Sequence, residues 1–155
     1  MNQTAIIQML AAFLGSLGFA LLFNIRGKLI FWTSFGGLLD WIIFIFAGVA
    51  GFSTFSKYFL AALVLGLYSE LMARLLKTPT TSFFVVGFIP LVPGANLFIA
   101  MNAIIVHQQA VFYENTLEAL SVALAITMGL ITSLVIFNIY TYCQKPIHHL
   151  KTKKK

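Results

Sequence analysis

Three groups of residues carry the chemistry this chain could do. The first is Asp40, a lone carboxyl in the middle of an apolar run, with Thr33 and Gly37 on its helical face and Gly36 beside it. An acid at such a depth in a bilayer costs about 2.5–3.5 kcal/mol on insertion scales, so it must face protein or water. Asp40 suits a proton carrier or a polar substrate contact; a permanently protonated acid bonded to a neighbouring helix, or a slipped span that sets Asp40 nearer the surface, fits the same pattern. The second group is Glu70 with Arg74, one helical turn apart with the acid first, the favourable order. Partly desolvated, each lowers the cost of burying the other. At a helix end the same pair reads as an interfacial salt bridge, with Arg74 and Lys77 reaching the headgroups. The third group is the interruption formed by Pro90, Pro93, Gly94, Ala95 and Asn96. Pro90 cannot donate to the carbonyl of Val86, nor Pro93 to that of Ile89. Each proline also drives the residue before it out of the helical region. A broken helix at membrane depth survives only buried in protein or lining a wet cavity. Its second half offers free N–H groups to an anion, the arrangement transporters use for substrate carboxylates. A kink that only shapes packing is the alternative.

Apolar helices long enough to cross a bilayer must position these groups. The pattern predicts an all-α integral membrane protein with about five spans, near 4–23, 29–49, 58–76, 82–106 and 117–142, the fourth broken at Pro90 and Pro93. Residues 1–144 form one transmembrane domain and 145–155 a basic cytoplasmic tail. Ala11, Gly15 and Gly18 in span 1, and Ser121, Ala125, Gly129 and Ser133 in span 5, are small residues on one face, suited to close helix contacts. Asn96, Ala100, Ala103 and His107 make a similar stripe after the break, suited to a cavity wall or a close contact. Asn102, on another face, is expected to bond a neighbouring helix.

Composition excludes other classes. Of 155 residues, 60% are hydrophobic and 9% charged, and the mean hydropathy is +0.95. A soluble domain of this size could not hide so much apolar surface. The net charge of +6 gathers in turns and in the lysine tail, which reads as topology or anionic-lipid contact and not as nucleic-acid binding. Cys143 is the single cysteine, which excludes an internal disulfide and a cysteine metal cluster. No nucleotide loop, zinc motif or hydrolytic triad is present, so neither an enzyme nor a cofactor is expected. The first apolar stretch has no basic segment before it and reads as a retained span, not a cleaved signal. Five crossings put Arg26, Lys28, Arg74, Lys77, Lys145 and the terminal lysines on one side, and Lys57 with Glu114 on the other. Positive charge favours the cytoplasm, so the N-terminus is expected outside and the C-terminus inside the cell membrane.

The run Gly87, Ile89, Pro90, Leu91, Val92, Pro93, Gly94, followed by Ala100 and Met101, resembles the threonine/serine exporter family, in particular the small YjjB-like subunit of its two-component form. Phe23 and Asn24 before a basic turn fit the same pattern. So does Gly66, Leu67, Tyr68, Ser69, Glu70 running on to Arg74, Thr78 and Pro79. The resemblance covers roughly residues 15–135. Phe98 departs from it, standing where the family often has tyrosine. The resemblance implies a membrane subunit of an exporter of threonine/serine or a small dicarboxylate, with a larger transmembrane partner. A homo-oligomer in the lipid bilayer is also compatible. In that reading Pro90, Pro93, Gly94, Ala95 and Asn96 hold the substrate, while Asp40, Glu70 and Arg74 handle protons or charge. A non-transporting membrane protein, such as a holin-like pore former or an assembly factor, is the competing expectation. Such a protein has no evident need for a double-proline break.

Overall fold

The computed structural model describes residues 3–151, with side chains through 143. Its helices are α1 (Gln3–Leu22), α2 (Lys28–Val49), α3 (Thr54–Leu76), α4 (Thr80–Gly87), α5 (Gly94–Ile105) and α6 (Gln109–Lys151). A single 3-10 turn, Ile89–Leu91, lies between α4 and α5. The first three helices and the Gln109–Cys143 part of α6 are each long and apolar enough to cross a membrane. The pair Thr80–Leu91 and Gly94–Ile105, bent by 53°, passes together as a fifth.

The direction of the chain follows from side-chain contacts. Ser133 meets Gly66, and Arg74 donates to Thr141 Oγ1 at 2.8 Å, so α3 and α6 run parallel. The bent pair between them therefore carries the chain back from one end of the bundle to the other. The parallel pair is also the tightest contact. A Cβ at Gly129 would sit 2.6 Å from the Phe59 carbonyl oxygen, so only glycine lets these backbones approach so closely.

Helix α2 runs antiparallel to both neighbours. Tyr68 Oη donates to the Trp32 carbonyl at 2.7 Å, and the Phe44 and Tyr58 rings lie 4.7 Å apart. On the other side Ser16 of α1 fills the space over Gly37. The core joins Ala61 and Ala62 of α3 to Val122 and Ile126 of α6, with Leu91 of the 3-10 turn inserted among them. The Trp32–Tyr68 and Phe44–Tyr58 pairs set a register that puts Asp40 level with Ala61 and Ala62, and hence with Leu91.

Several expectations are corrected. The packing face of α1 is Ala12, Ser16 and Ala20, not Ala11, Gly15 and Gly18. Gly15 and Gly18 have nothing within 4 Å of a built Cβ, because Ser16, one residue over, docks into Gly37. Helix α3 begins at Thr54, earlier than 58, because the Ser53 side chain accepts from the Ser56 N–H and caps it. The polar stretch before 117 is helical from Gln109, where α5 packs alongside α6. At 43 residues α6 is about 65 Å long at ~1.5 Å per residue, twice the ~30 Å of a hydrocarbon core. Asn102 is exposed and turned from the bundle. The charges expected over 145–155 lie outside the described side chains, though the helical backbone continues to Lys151.

Candidate functional site

Asp40 is 0% exposed, and neither carboxyl oxygen has a hydrogen-bond partner. It shares α2 with Thr33 and Ser34, which are also buried but bond back to carbonyls of the preceding turn at 2.8–3.0 Å. Those hydroxyls are satisfied within their own helix; the Asp40 carboxyl is not. The next residue, Trp41, has an unpartnered Nε1, and so does the Ser16 hydroxyl on α1. Native interiors rarely leave such groups orphaned without a reason.

The break lies level with this acid. Gly94 N–H folds back onto the Val92 carbonyl at 2.7 Å, and Leu97 N–H bonds the Pro93 carbonyl at 3.1 Å. The N–H groups of Ala95 and Asn96 are left with no backbone acceptor. They are the free amides expected at a half-helix N-terminus. Asn96 is half-buried, whereas Gly94 and Ala95 are exposed, with open space around Gly94. Pro90 faces another way. With Ile89 it lines a hollow of about 250 Å³ against Gln8, Ala11 and Gly15 of α1 and Trp41 of α2. Ala11 and Gly15, two of the small residues of α1 expected at a helix contact, thus form part of one wall of this hollow. Of the stripe after the break, Ala100 and Ala103 are buried in the contact with α6, and His107 is exposed in a left-handed turn at φ 58°.

Glu70 and Arg74 do not engage each other as the spacing suggested. The Arg74 guanidinium bonds Thr141 and lies 4.4 Å from the centre of the Phe137 ring, both on α6. Glu70 instead borders a hollow shared with Ser69, Thr80, Thr81 and Ser133. Sequence reasoning missed that group. The adjacency of Ser69 to Glu70 was visible, but the approach of α4 and α6 was not. The structure therefore brings Asp40 level with the break, sets Glu70 apart in its own hollow, and turns Arg74 away. Phe98, the departure from the family pattern, is 72% exposed.

A bundle of long apolar helices, with a bent helix pair beside a buried acid, defines a multi-pass helical membrane protein. The family model for the threonine/serine exporter ThrE matches residues 8–136, and the chain belongs to that family of membrane transport proteins. No curated protein matches the chain. No solved structure matches it either.

Proposed function

We propose that the chain is one membrane subunit of a secondary exporter for small polar metabolites, threonine/serine or small dicarboxylates, acting with a larger transmembrane partner. The observation that carries this reading is Asp40, fully buried and without a hydrogen-bond partner at the level of the break. An acid so placed is costly in either charge state, and a proton that comes and goes gives that cost a use. In this reading the Ala95 and Asn96 amides receive a substrate carboxylate, with the positive end of α5 behind them. The Asn96 side chain orients it. Pro90, Pro93 and Gly94 hold the backbone open, and Asp40 exchanges the proton. Glu70 and Arg74 tune charge nearer the basic end.

The same geometry supports a partner. Gly94 and Ala95 are exposed near amides that have no acceptor. Facing lipid, each such group costs several kcal/mol. A second protein surface that carries a wet path removes that cost. Membership of an exporter family weighs against a pore former or assembly factor. The charge distribution favours an outside N-terminus and a cytoplasmic C-terminus.

The test is export by cells producing the chain with and without a larger membrane protein of the same exporter family. Asp40→Asn and Asn96→Ala are expected to lower export, and omission of the partner to abolish it. Full export by both variants would remove the site, and full export without the partner would remove the two-subunit arrangement.

A further inference from the structure

Helices α1 and α3 finish at the same end of the bundle and close in the same way. Asn24 and Lys77 adopt left-handed backbones, at φ 56° and 52°. The next residues fold back, Ile25 N–H to the Ala20 carbonyl and Thr78 N–H to the Ala73 carbonyl, each at 3.0 Å. Between the end of α1 and the start of α4 lies a hollow of about 210 Å³. Phe23, Ile25, Val85 and Val86 give it an apolar wall, and Thr81 and Ser82 bring hydroxyls. Elsewhere in the bundle helical hydroxyls bond a carbonyl of the preceding turn, as Thr33, Thr132 and Thr141 do. Thr81 and Ser82 stand in the first turn of α4, with no helical turn before them. Thr81 is exposed and Ser82 half-buried, so neither is sealed from a ligand.

The rim of the hollow is cationic. Arg26 and Lys28 follow Ile25, and Lys77 precedes the start of α4; all three are exposed. Arg26 Nε donates to Asn24 Oδ1 at 3.0 Å, which steadies the guanidinium and leaves its two NH2 groups for another acceptor. Neither 23–28 nor 77–82 contains an acid. Arg74, on the last turn of α3, is taken up by Thr141 and Phe137. Trp32, one turn into α2, belongs at headgroup level.

We propose that this hollow seats the phosphate of an anionic phospholipid, in the leaflet that faces the basic end of the bundle. Thr81 and Ser82 donate to phosphate oxygens, and the Arg26 guanidinium meets the phosphate as a paired donor. Lys28 and Lys77 favour lipids whose net charge is negative. Val85 and Val86, one turn deeper on α4, and the exposed Phe23 take the first part of an acyl chain. A soluble anion has no use for that apolar wall, so the occupant is a lipid. The site rests on the charge and geometry of one end of the bundle and not on the exporter reading.

The full chain in a neutral detergent is titrated with phosphatidylglycerol or phosphatidylcholine, and the lipid retained is counted by native mass spectrometry. One phosphatidylglycerol is expected to bind ahead of the rest, and more tightly than phosphatidylcholine. Arg26→Gln is expected to weaken that first binding about tenfold, as for loss of a charged partner. Thr81→Val with Ser82→Ala leaves the charge untouched and is expected to weaken it about fivefold or more. Lys57→Gln, at the opposite end, removes the same charge as Arg26→Gln and is expected to change nothing. Should either variant of the hollow fail to fold, Arg26→Lys serves: it keeps the charge, loses the paired donor and is expected to bind more weakly than the parent. Equal losses in Arg26→Gln and Lys57→Gln, full binding by the hydroxyl double variant or by Arg26→Lys, or equal binding of the two lipids would reduce the rim to a general attraction and overturn the site. Displacement of the lipid by millimolar inorganic phosphate would overturn it too, in favour of a soluble anion.

Discussion

Before Pro93, the broken span buries Phe83, Val86, Gly87 and Leu91 within the bundle. After it, only Ala100 and Ala103 of α5 are covered, while Phe98, Met101 and Ile105 are 72%, 68% and 76% exposed. Both halves are strongly apolar, so composition does not separate them. What separates them is the company each keeps: α4 packs on α2 and α3, whereas α5 packs chiefly on α6 among the described residues. The first half is anchored in the same core that buries Asp40. The second half presents its free N-terminus and most of its side chains outward. A proline break here does more than kink a helix; it divides an anchored half from one whose cover must come from lipid or another protein.

The sharpest way to break this comparison is to truncate one residue in each half. Leu91→Ala is expected to destabilise by about 2–5 kcal/mol, as for a large buried side chain replaced by alanine. Thermal unfolding in detergent measures it. Similar losses for Leu91→Ala and Phe98→Ala would erase the distinction between the halves. Next in size, Asp40→Asn is expected to lower export about a hundredfold or more, the scale for removing a proton-transfer group. Its thermal stability should not fall, because the carboxyl it replaces has no bonds to lose. A large drop in stability with export preserved would make Asp40 a structural residue. Gly129→Ala should destabilise by about 1–3 kcal/mol through overpacking against the α3 backbone. Gly15→Ala, which meets nothing within 4 Å, should be near neutral. The smallest effect is Phe98→Ala, expected within about 0.5 kcal/mol. A cysteine at position 98 sharpens the point: in a Cys143→Ser background it should label readily in the chain alone and slowly when the larger partner is present.

Much of the architecture was legible because it depends on covalent facts. Pro90 and Pro93 lack N–H groups whatever surrounds them, so the break was readable. The depth of Asp40 follows from counting along an apolar helix, and the face it shares with Thr33 and Gly37 is indeed buried. In α6 the close-packing face was also readable, with Ala125, Gly129 and Ser133 buried. The same kind of reasoning missed the contact face of α1, where two adjacent stripes are both small. Periodicity says which residues share a face; it does not say which face a neighbour takes. The polar stretch before residue 117 falls outside the span expected at 117–142 because its composition is polar, yet α5 lies along it and the helix begins at Gln109.

Sequence alone determined that this chain crosses a membrane, where its helix breaks, and that one carboxyl is carried deep, because chain length, apolar content and a missing N–H act locally. Tertiary structure decided that Asp40 stands level with the break and without a partner. It also turned Arg74 to α6 and left Glu70 beside a hollow that α4 and α6 also line. Those outcomes depend on helix register and crossing, which are set by distant residues such as Ser16 against Gly37 and Gly129 against Phe59.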